Sequence, residues 1–473
     1  MAKPRLEQTR ALLAQHGQEH VLRFHDELPA AGRQRLLAQL AGLDWGHLDD
    51  WIKTYVVSVP KCEIPTDLEP APYFPAEPQT AAQRDLYAKA QREGEGLLRG
   101  GQIAAFTVAG GQGTRLGYDG PKGTFAISPV RKKPLFQLFA ESLRRHGEIY
   151  GRPIPWYLMT SPTNDGPTRA FFAEHKYFGL AREHVTFFIQ GQMPAFDFQG
   201  KLLLAAKDSL AMSPDGHGGS LRALHQSGAL ADMKSRGVLY ISYFQVDNPL
   251  VSVVSPLFLG LHHLEQSQMS NRMLAKRDAF EKLGLFCRTG GKLQVIEYSD
   301  LPEALAVQQA PDGNLRFIAG SPAIHVISRE FVEALNRGGF SLPWHRAVKK
   351  IPCVDAGGHA VSPTQPNGVK LESFVFDALP LARQTMILEA IRDREFAPVK
   401  NPDGQDSPAS CRALMQAEFA RWLEARGVQV PRRDDGQLTC TLEISPRSYV
   451  TTADFQRAPL PTPPKPGTEV YLE

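Results

Sequence analysis

Two cations beside a cluster of glycines are the residues of this chain best suited to phosphate chemistry. The run Val108-Ala109-Gly110-Gly111-Gln112-Gly113-Thr114-Arg115-Leu116-Gly117 is followed closely by Gly120-Pro121-Lys122-Gly123. Glycine lets the backbone turn sharply and approach a ligand. Successive N–H groups in such a loop form an anion-binding concavity. Arg115 and Lys122 add fixed positive charge beside it, which is what a triphosphate requires. Two commoner phosphate loops do not fit. The dinucleotide fingerprint needs a third glycine where Leu116 stands, and the Walker loop needs Gly-Lys-Ser/Thr where the chain reads Gly120-Pro121-Lys122-Gly123.

A carboxylate is placed to complement that loop. The apolar run 238–244 continues into Gln245-Val246-Asp247-Asn248. At the tip of a strand, Asp247 could hold Mg²⁺, which prefers one or two carboxylates plus phosphate oxygens. Asp247-Asn248 could instead cap a following helix, with Pro249 in its first turn. A second glycine loop, Pro214-Asp215-Gly216-His217-Gly218-Gly219, opens a helical pattern at Ser220. Its backbone can pack on a base or a sugar ring. His217 is either bonded to the backbone or a sugar ligand. Gln190 has an amide able to pair with a base edge, or is a plain strand-end amide.

These residues need a scaffold, and the sequence outlines one. Ile103–Val108, 155–159, Val185–Ile189 and 238–244 read as strands; 135–143 and 221–233 read as amphipathic helices. Alternation of this kind predicts an α/β fold with a mostly parallel sheet covered by helices, and such sheets bind ligands at the carboxyl ends of their strands. The later runs 284–287, 293–298 and 323–327 read as strands of a sugar-side extension, and 350–370 as a surface loop or hairpin. Residues 1 to about 60 read as short helices, with Leu36, Leu37, Leu40 and Leu43 at packing spacing. Five prolines between 63 and 80 predict an extended strap anchored by Tyr73 and Phe74. A break at Lys400-Asn401-Pro402-Asp403-Gly404 precedes a helix at 413–425, short strands and a frayed tail at 459–467. The expected division is 1–99, 100–395 and 396–473.

At 473 residues the chain is longer than one ordinary domain. Its net charge of +3 is too small to indicate nucleic acid or an acidic membrane. Cys62, Cys287, Cys353, Cys411 and Cys440 are scattered, with no metal-ligand spacing. No apolar run approaches the roughly 20 residues of a membrane span. A polar, charged N-terminus completes the expectation of a cytoplasmic monomer or weak homo-oligomer.

Taken together, these motifs resemble the UDP-sugar pyrophosphorylases, whose signature reads G-G-x-G-T-R-L-G, a short gap, then P-K-G. The resemblance runs from about Leu86 to Tyr449. It takes in His175-Lys176-Tyr177-Phe178-Gly179-Leu180, Gln190-Gly191, Val246-Asp247-Asn248, Pro366-Asn367-Gly368, Phe374-Val375-Phe376-Asp377 and Glu443-Ile444-Ser445-Pro446. Within the family it is greatest to the UDP-N-acetylglucosamine enzymes. The resemblance implies a Rossmann-like, glycosyltransferase-A-like nucleotidyltransferase sheet with a helical N-terminal part and a small C-terminal α+β domain. It implies transfer of a uridylyl group from UTP to a sugar 1-phosphate with Mg²⁺. It assigns Gly110, Gly111, Gln190, Gly216 and Asp247 to the nucleotide, and Asp247 also to the metal. It assigns Arg115, Lys122 and Lys400 to the reacting phosphates, and His217, Gly284, Glu297 and Ser321 to the sugar. His217 and Ser321 stand where the N-acetylglucosamine enzymes carry Asn, and histidine at 217 is similar to the UDP-glucose enzymes.

Overall fold

The computed structural model describes residues 6–59, 64–340 and 342–473, so Cys62 lies outside the described residues. The chain divides into two compact units, each built from separate stretches. One comprises 1–63, 190–222 and 341–377; the other comprises 64–189, 223–340 and 378–473.

The larger unit contains an eleven-stranded mixed sheet. Ten of its strands are β1 Ile103–Val108, β2 Trp156–Thr160, β3 Val185–Ile189, β4 Tyr240–Gln245, β5 Met269–Ala275, β6 Gly284–Thr289, β7 Lys292–Ile296, β8 Ala319–Ser321, β9 His325–Ser328 and β10 Thr385–Glu389. Glu69–Pro70 is the edge strand, and the order runs from it through β6, β8, β5, β9, β4, β1 and β2 to β3, with β7 on β6 and β10 on β5. β4, β1, β2 and β3 pair in parallel. β9 pairs antiparallel to β4 and to β5, and the strands beyond it continue antiparallel through β8 and β6. The parallel strands are mostly apolar; all five residues of β2 are buried. That is what helices on both faces demand. In register, Val108 of β1 lies opposite Gln245 of β4, so the two strands end level.

Several elements differ from the sequence reading. The helical pattern at 221–233 is two helices, Gly219–Gln226 and Ala229–Ser235. Gly228, at φ 82°, takes a left-handed turn between them that interrupts a continuous helix. β9 lies inside the main sheet between β5 and β4, not in an outlying extension. β5 and β10 carry no expectation from the sequence, because Ser270, Asn271 and Arg272 interrupt the apolar run of the first, and Thr385 and Glu389 bound a short one in the second. The proline-rich strap lies flat: Glu69–Pro70 pairs with β6, and Phe74 bridges to Leu388. Proline is tolerated at such an edge. Phe74 is part-buried, whereas Tyr73 remains exposed. The tail is irregular over 459–467, but its end is held. Gly467 N–H donates to Thr439 O, and Glu469–Leu472 pairs in parallel with Thr441–Ile444.

In the smaller unit, helices Leu6–Gln15, Ala30–Ala41 and Trp45–Trp51 precede short two-stranded ribbons. Leu36 and Leu40 pack with Leu13, Phe196 and Leu371, with Leu37 and Leu43 partly buried at the margin. The 353–361 stretch is a hairpin, Cys353–Val354 with Ala360–Val361.

Candidate active site

The glycine loop leaves the carboxyl end of β1 and folds back on itself. Gly113 N–H donates to Gly120 O, and Lys122 N–H to Gly111 O, closing a hairpin whose base is the Gln112–Pro121 bridge. A short turn at Thr114–Leu116 presents Arg115, which is exposed and in no ion pair among the described residues. Asn164 braces the start of the loop: its Nδ2 donates to Ala109 O at 2.9 Å and, more weakly, to Gly111 O at 3.4 Å. The loop glycines have different reasons to be glycine. A Cβ on Gly123 would lie 2.1 Å from the Phe136 ring, so that glycine is needed for packing. A Cβ on Gly111 would meet nothing within 4 Å, and Gly111 is exposed. The fold does not require glycine there; close approach of a ligand would.

At the adjacent strand end, Asp247 and Lys122 come together, with Lys122 Nζ 3.4 Å from Asp247 Oδ2. Both side chains are largely shielded. Asp247 O accepts the N–H of Val399 at 2.9 Å, which brings the Lys400 segment to the same place. Lys400 Nζ lies over the Phe396 ring, 5.5 Å from its centre. The glycine loop, Lys122 and Asp247 thus form one group, with the backbone of the Lys400 segment beside it. No helix starts at Asn248; the next is Pro256–Leu264, capped by Ser255. Asn248 is buried instead. Its Nδ2 donates to Glu395 O, and its Oδ1 accepts from Ala397 N–H, tying the Asp247 turn to the Lys400 segment. Asn164 carries no expectation from the sequence, and Asn248 only that of a helix cap and a member of the Val246-Asp247-Asn248 motif. An Asn four residues beyond the end of a buried strand is the available signal for the first, and an Asn directly after the carboxylate for the second.

Among the described residues no group of three His, Cys, Asp or Glu could hold a metal ion. Asp247 alone suits a cation whose remaining ligands come from a phosphate chain and water. It does not suit a closed protein cage.

The sugar candidates of the larger unit also converge. Gly284 of β6 lies opposite Ser321 of β8. A Cβ on Gly284 would lie 3.2 Å from Glu297 Oε1 and 2.7 Å from Val295, so the glutamate stands over a position kept bare. Ser321 Oγ is buried without a hydrogen-bond partner. β5 and β9 separate this set from β4 and β1 in the sheet order.

The smaller unit holds Gln190, Gly216 and His217. Its second glycine loop is built around Asp215, which is fully buried and receives Arg222 Nη2 at 2.6 Å. Burial raises the Asp215 carboxyl above its usual range, partly opposed by Arg222. Gln190 Nε2 donates to Gly216 O at 2.9 Å and to Asp215 Oδ1 at 3.3 Å, so both its N–H bonds serve the loop. Gly216 has φ 82°, and a Cβ there would fall 2.2 Å from Ser373 O. His217 Nδ1 accepts the N–H of Val375 at 3.1 Å, and its ring stacks on Phe374. Burial lowers the His217 pKa to about 4, so the ring is neutral near pH 7 with its proton on Nε2.

Comparison with known proteins adds to this geometry. The family described as UTP–glucose-1-phosphate uridylyltransferase matches residues 69–464. The human UDP-N-acetylhexosamine pyrophosphorylase-like protein 1 is 36% identical over 488 residues, covering 98% of this chain and 94% of its own. The UDP-N-acetylglucosamine pyrophosphorylase of Saccharomyces cerevisiae is 34% identical over 444 residues, covering 89% and 92%. Among solved structures, the uridine diphosphate N-acetylglucosamine pyrophosphorylase of Trypanosoma brucei superimposes with a TM-score of 0.81 at 27% identity, covering 100% of this chain and 98% of its own.

Proposed function

The chain belongs to the UDP-sugar pyrophosphorylase family and is a uridylyltransferase, and from that premise we propose how its residues carry the reaction. The reaction joins UTP and N-acetylglucosamine 1-phosphate to give UDP-N-acetylglucosamine and pyrophosphate. One observation carries the assignment of roles: Lys122 meets Asp247 at 3.4 Å beside a glycine loop whose Gly111 the fold itself does not need.

A phosphate oxygen of the sugar 1-phosphate attacks the α-phosphorus of UTP in line, and the bond to the bridging oxygen breaks as pyrophosphate leaves. The nucleophile is already an anion, so no general base is required. Positioning and charge stabilisation then do the catalysis. The amides of Gly110 and Gly111 receive the nucleotide. Arg115 and Lys122 neutralise the leaving pyrophosphate, and Lys400 offsets charge growing at the α-phosphate. Asp247 would hold Mg²⁺, which when bound supplies further charge neutralisation on the phosphate oxygens. Gln190 and Gly216 serve the uracil; with both N–H bonds of Gln190 committed, its Oε1 is the group left to accept from the base N–H. Gly284, Glu297 and Ser321 of the larger unit receive the sugar, and the resemblance adds His217, whose Nε2–H is left free to donate.

A Rossmann-like, glycosyltransferase-A-like character for the parallel part of the sheet belongs to the same proposal. So does the division into a helical N-terminal region (1–99), a catalytic domain (100–395) and a small C-terminal domain (396–473). The C-terminal part is supported by an apolar cluster of its own around Leu423, Leu442, Ile444 and Phe455. No helix among the described residues is long and apolar enough to cross a membrane. A cytoplasmic monomer or weak homo-oligomer, with UTP and sugar 1-phosphate as partners and no nucleic acid or membrane, is the setting proposed.

A second reading has specific support. Ser321 offers a short hydroxyl without a partner, and His217 an imidazole, where the N-acetylglucosamine enzymes carry Asn. Both fit a glucose-type or broad sugar acceptor. Pyrophosphate release from UTP and Mg²⁺ with the 1-phosphates of glucose, galactose, N-acetylglucosamine and N-acetylgalactosamine separates the readings. The proposal expects the highest kcat/KM with N-acetylglucosamine 1-phosphate; a preference for glucose 1-phosphate selects the second reading, and release with none overturns both.

A further inference from the structure

In the smaller unit, the Gln190 amide donates to two acceptors of different kinds. One N–H goes to a backbone carbonyl, Gly216 O, and the other to a side-chain carboxylate, Asp215 Oδ1. Neither acceptor has a hydrogen to give, so both require Nε2 rather than Oε1 to face them. Oε1 is thereby turned away from the loop. It accepts from no described residue, and it is not sealed from solvent.

The carboxylate itself is pinned. Asp215 Oδ2 takes Arg222 Nη2 at 2.6 Å, which leaves Oδ1 for Gln190. The Asp215 main chain is held on both sides: its N–H donates to Gly191 O at 3.2 Å, and its O accepts the N–H and the Oγ–H of Ser373, each at 2.9 Å. Two glycines make room for the carboxylate. A Cβ on Gly219 would lie 2.2 Å from Asp215 Cγ, and one on Gly191 2.3 Å from Asp215 Oδ2. Gly219 also opens the helix that carries Arg222. An Asn of the same shape would fill this space without the cost of burying a charge. What the carboxylate has and an Asn lacks is that it can only accept.

We infer, resting on the proposed contact of Gln190 with the base, that Asp215 is a positioning residue: it fixes the orientation of the Gln190 amide and so sets selectivity for uracil over cytosine. Uracil carries a hydrogen on N3, which Oε1 accepts. Cytosine carries a lone pair there, which meets Oε1 as acceptor against acceptor and calls for the reversed amide. Reversal would turn Oε1 onto Gly216 O and Asp215 Oδ1, two acceptors at once. In Asp215→Asn, the Asn oxygen is drawn to Arg222 and the NH₂ turns to Gln190. The two neighbours of the Gln190 amide then favour opposite orientations.

The test is the ratio of kcat/KM for UTP over CTP, measured with Mg²⁺ and the preferred sugar 1-phosphate. Wild type is compared with Asp215→Asn, Arg222→Met and Gln190→Ala. Asp215→Asn should lower the ratio by roughly tenfold, the scale of one hydrogen bond to a charged group. The change should lie in a higher KM for UTP and a lower KM for CTP, with the UTP kcat largely retained. A carboxylate that only supports the loop would weaken both nucleotides alike; an unchanged ratio overturns the inference. Arg222→Met removes the cation that keeps Asp215 ionised. The protonated carboxyl can then donate to the amide, and the ratio should fall in the same direction. Should Asp215→Asn fail to fold, Arg222→Met decides, and an unchanged ratio there overturns the inference. Gln190→Ala separates the two levels. If it leaves the ratio unchanged, the uracil contact falls and the role of Asp215 with it. If it lowers the ratio while Asp215→Asn does not, the role of Asp215 alone falls.

Discussion

At the scale of single residues, the site separates positions that serve the fold from those that serve a ligand. Gly111 is the sharpest case, because an added methyl meets no protein atom. Gly111→Ala should leave the thermal midpoint unchanged and raise the KM for UTP by about tenfold, the scale of one crowded or lost hydrogen bond. Thermal melts and initial rates on the same preparation check both halves; a lower midpoint with an unaltered KM would make the glycine structural. Ser321 tests the sugar side. Its hydroxyl is buried and unpartnered opposite Gly284. Ser321→Asn should shift kcat/KM toward N-acetylglucosamine 1-phosphate over glucose 1-phosphate by about tenfold, since a group built to hydrogen-bond a substituent discriminates against analogues lacking it.

At the scale of elements, the glycine loop depends on what is packed beneath it. Gly123 lets the Lys122–Thr124 turn sit on Phe136 of the Leu135–Tyr150 helix. Gly123→Ala forces the ring aside, and such overpacking costs about 1–3 kcal/mol. Urea unfolding should report that loss, together with reduced turnover as Lys122 moves relative to Asp247; an unchanged urea midpoint would remove the packing argument. The same elements show what was legible beforehand. Ile103–Val108 and Val185–Ile189 could be read because each is an apolar run broken only by a single threonine, Thr107 and Thr186. The loop chemistry could be read because its glycines and cations are contiguous. β5 and β10 were hidden because Ser270, Asn271 and Arg272 interrupt the apolar pattern of the first, and Thr385 and Glu389 bound a run of only three apolar residues in the second. Arg272 is tolerated in the sheet because it pairs with Glu395, a partner far away in sequence. The partners that Asn164 and Asn248 brace were equally hidden, since a hydrogen bond across the fold leaves no local periodicity.

For the whole molecule, the composition of the smaller unit is the feature least accessible from local pattern. Nothing in 190–222 or 341–377 marks these stretches as companions of the N-terminal helices. Whole-molecule stability should also depend on pH through buried histidines. Burial lowers His146 and His217 to about 4, and His262 to about 3. Each folded pKa lies below the ordinary value near 6.5, so the unfolded chain binds the extra protons. These groups leave stability untouched above about pH 6.5, and lower it as pH falls toward 4 by up to about 1.4 kcal/mol per pH unit each. His262 sits between Ser270 Oγ and Ser328 Oγ. His262→Gln should flatten the decline in urea midpoint between pH 7.5 and 5; a slope equal to wild type would contradict the assignment. Chelation gives a second global test. With no group of metal ligands among the described residues besides the candidate Asp247, EDTA should abolish turnover, with Mg²⁺ restoring it, while leaving the thermal midpoint in place; a fall in midpoint would reveal a structural metal.

The role of Lys122 at the glycine loop is the centre of the account, and the turnover number of Lys122→Ala tests it most directly. With saturating UTP, Mg²⁺ and N-acetylglucosamine 1-phosphate, pyrophosphate release should slow by about 10²–10³, the cost of removing one preorganised charge from a transition state. A folded variant that releases pyrophosphate at the wild-type rate would contradict it.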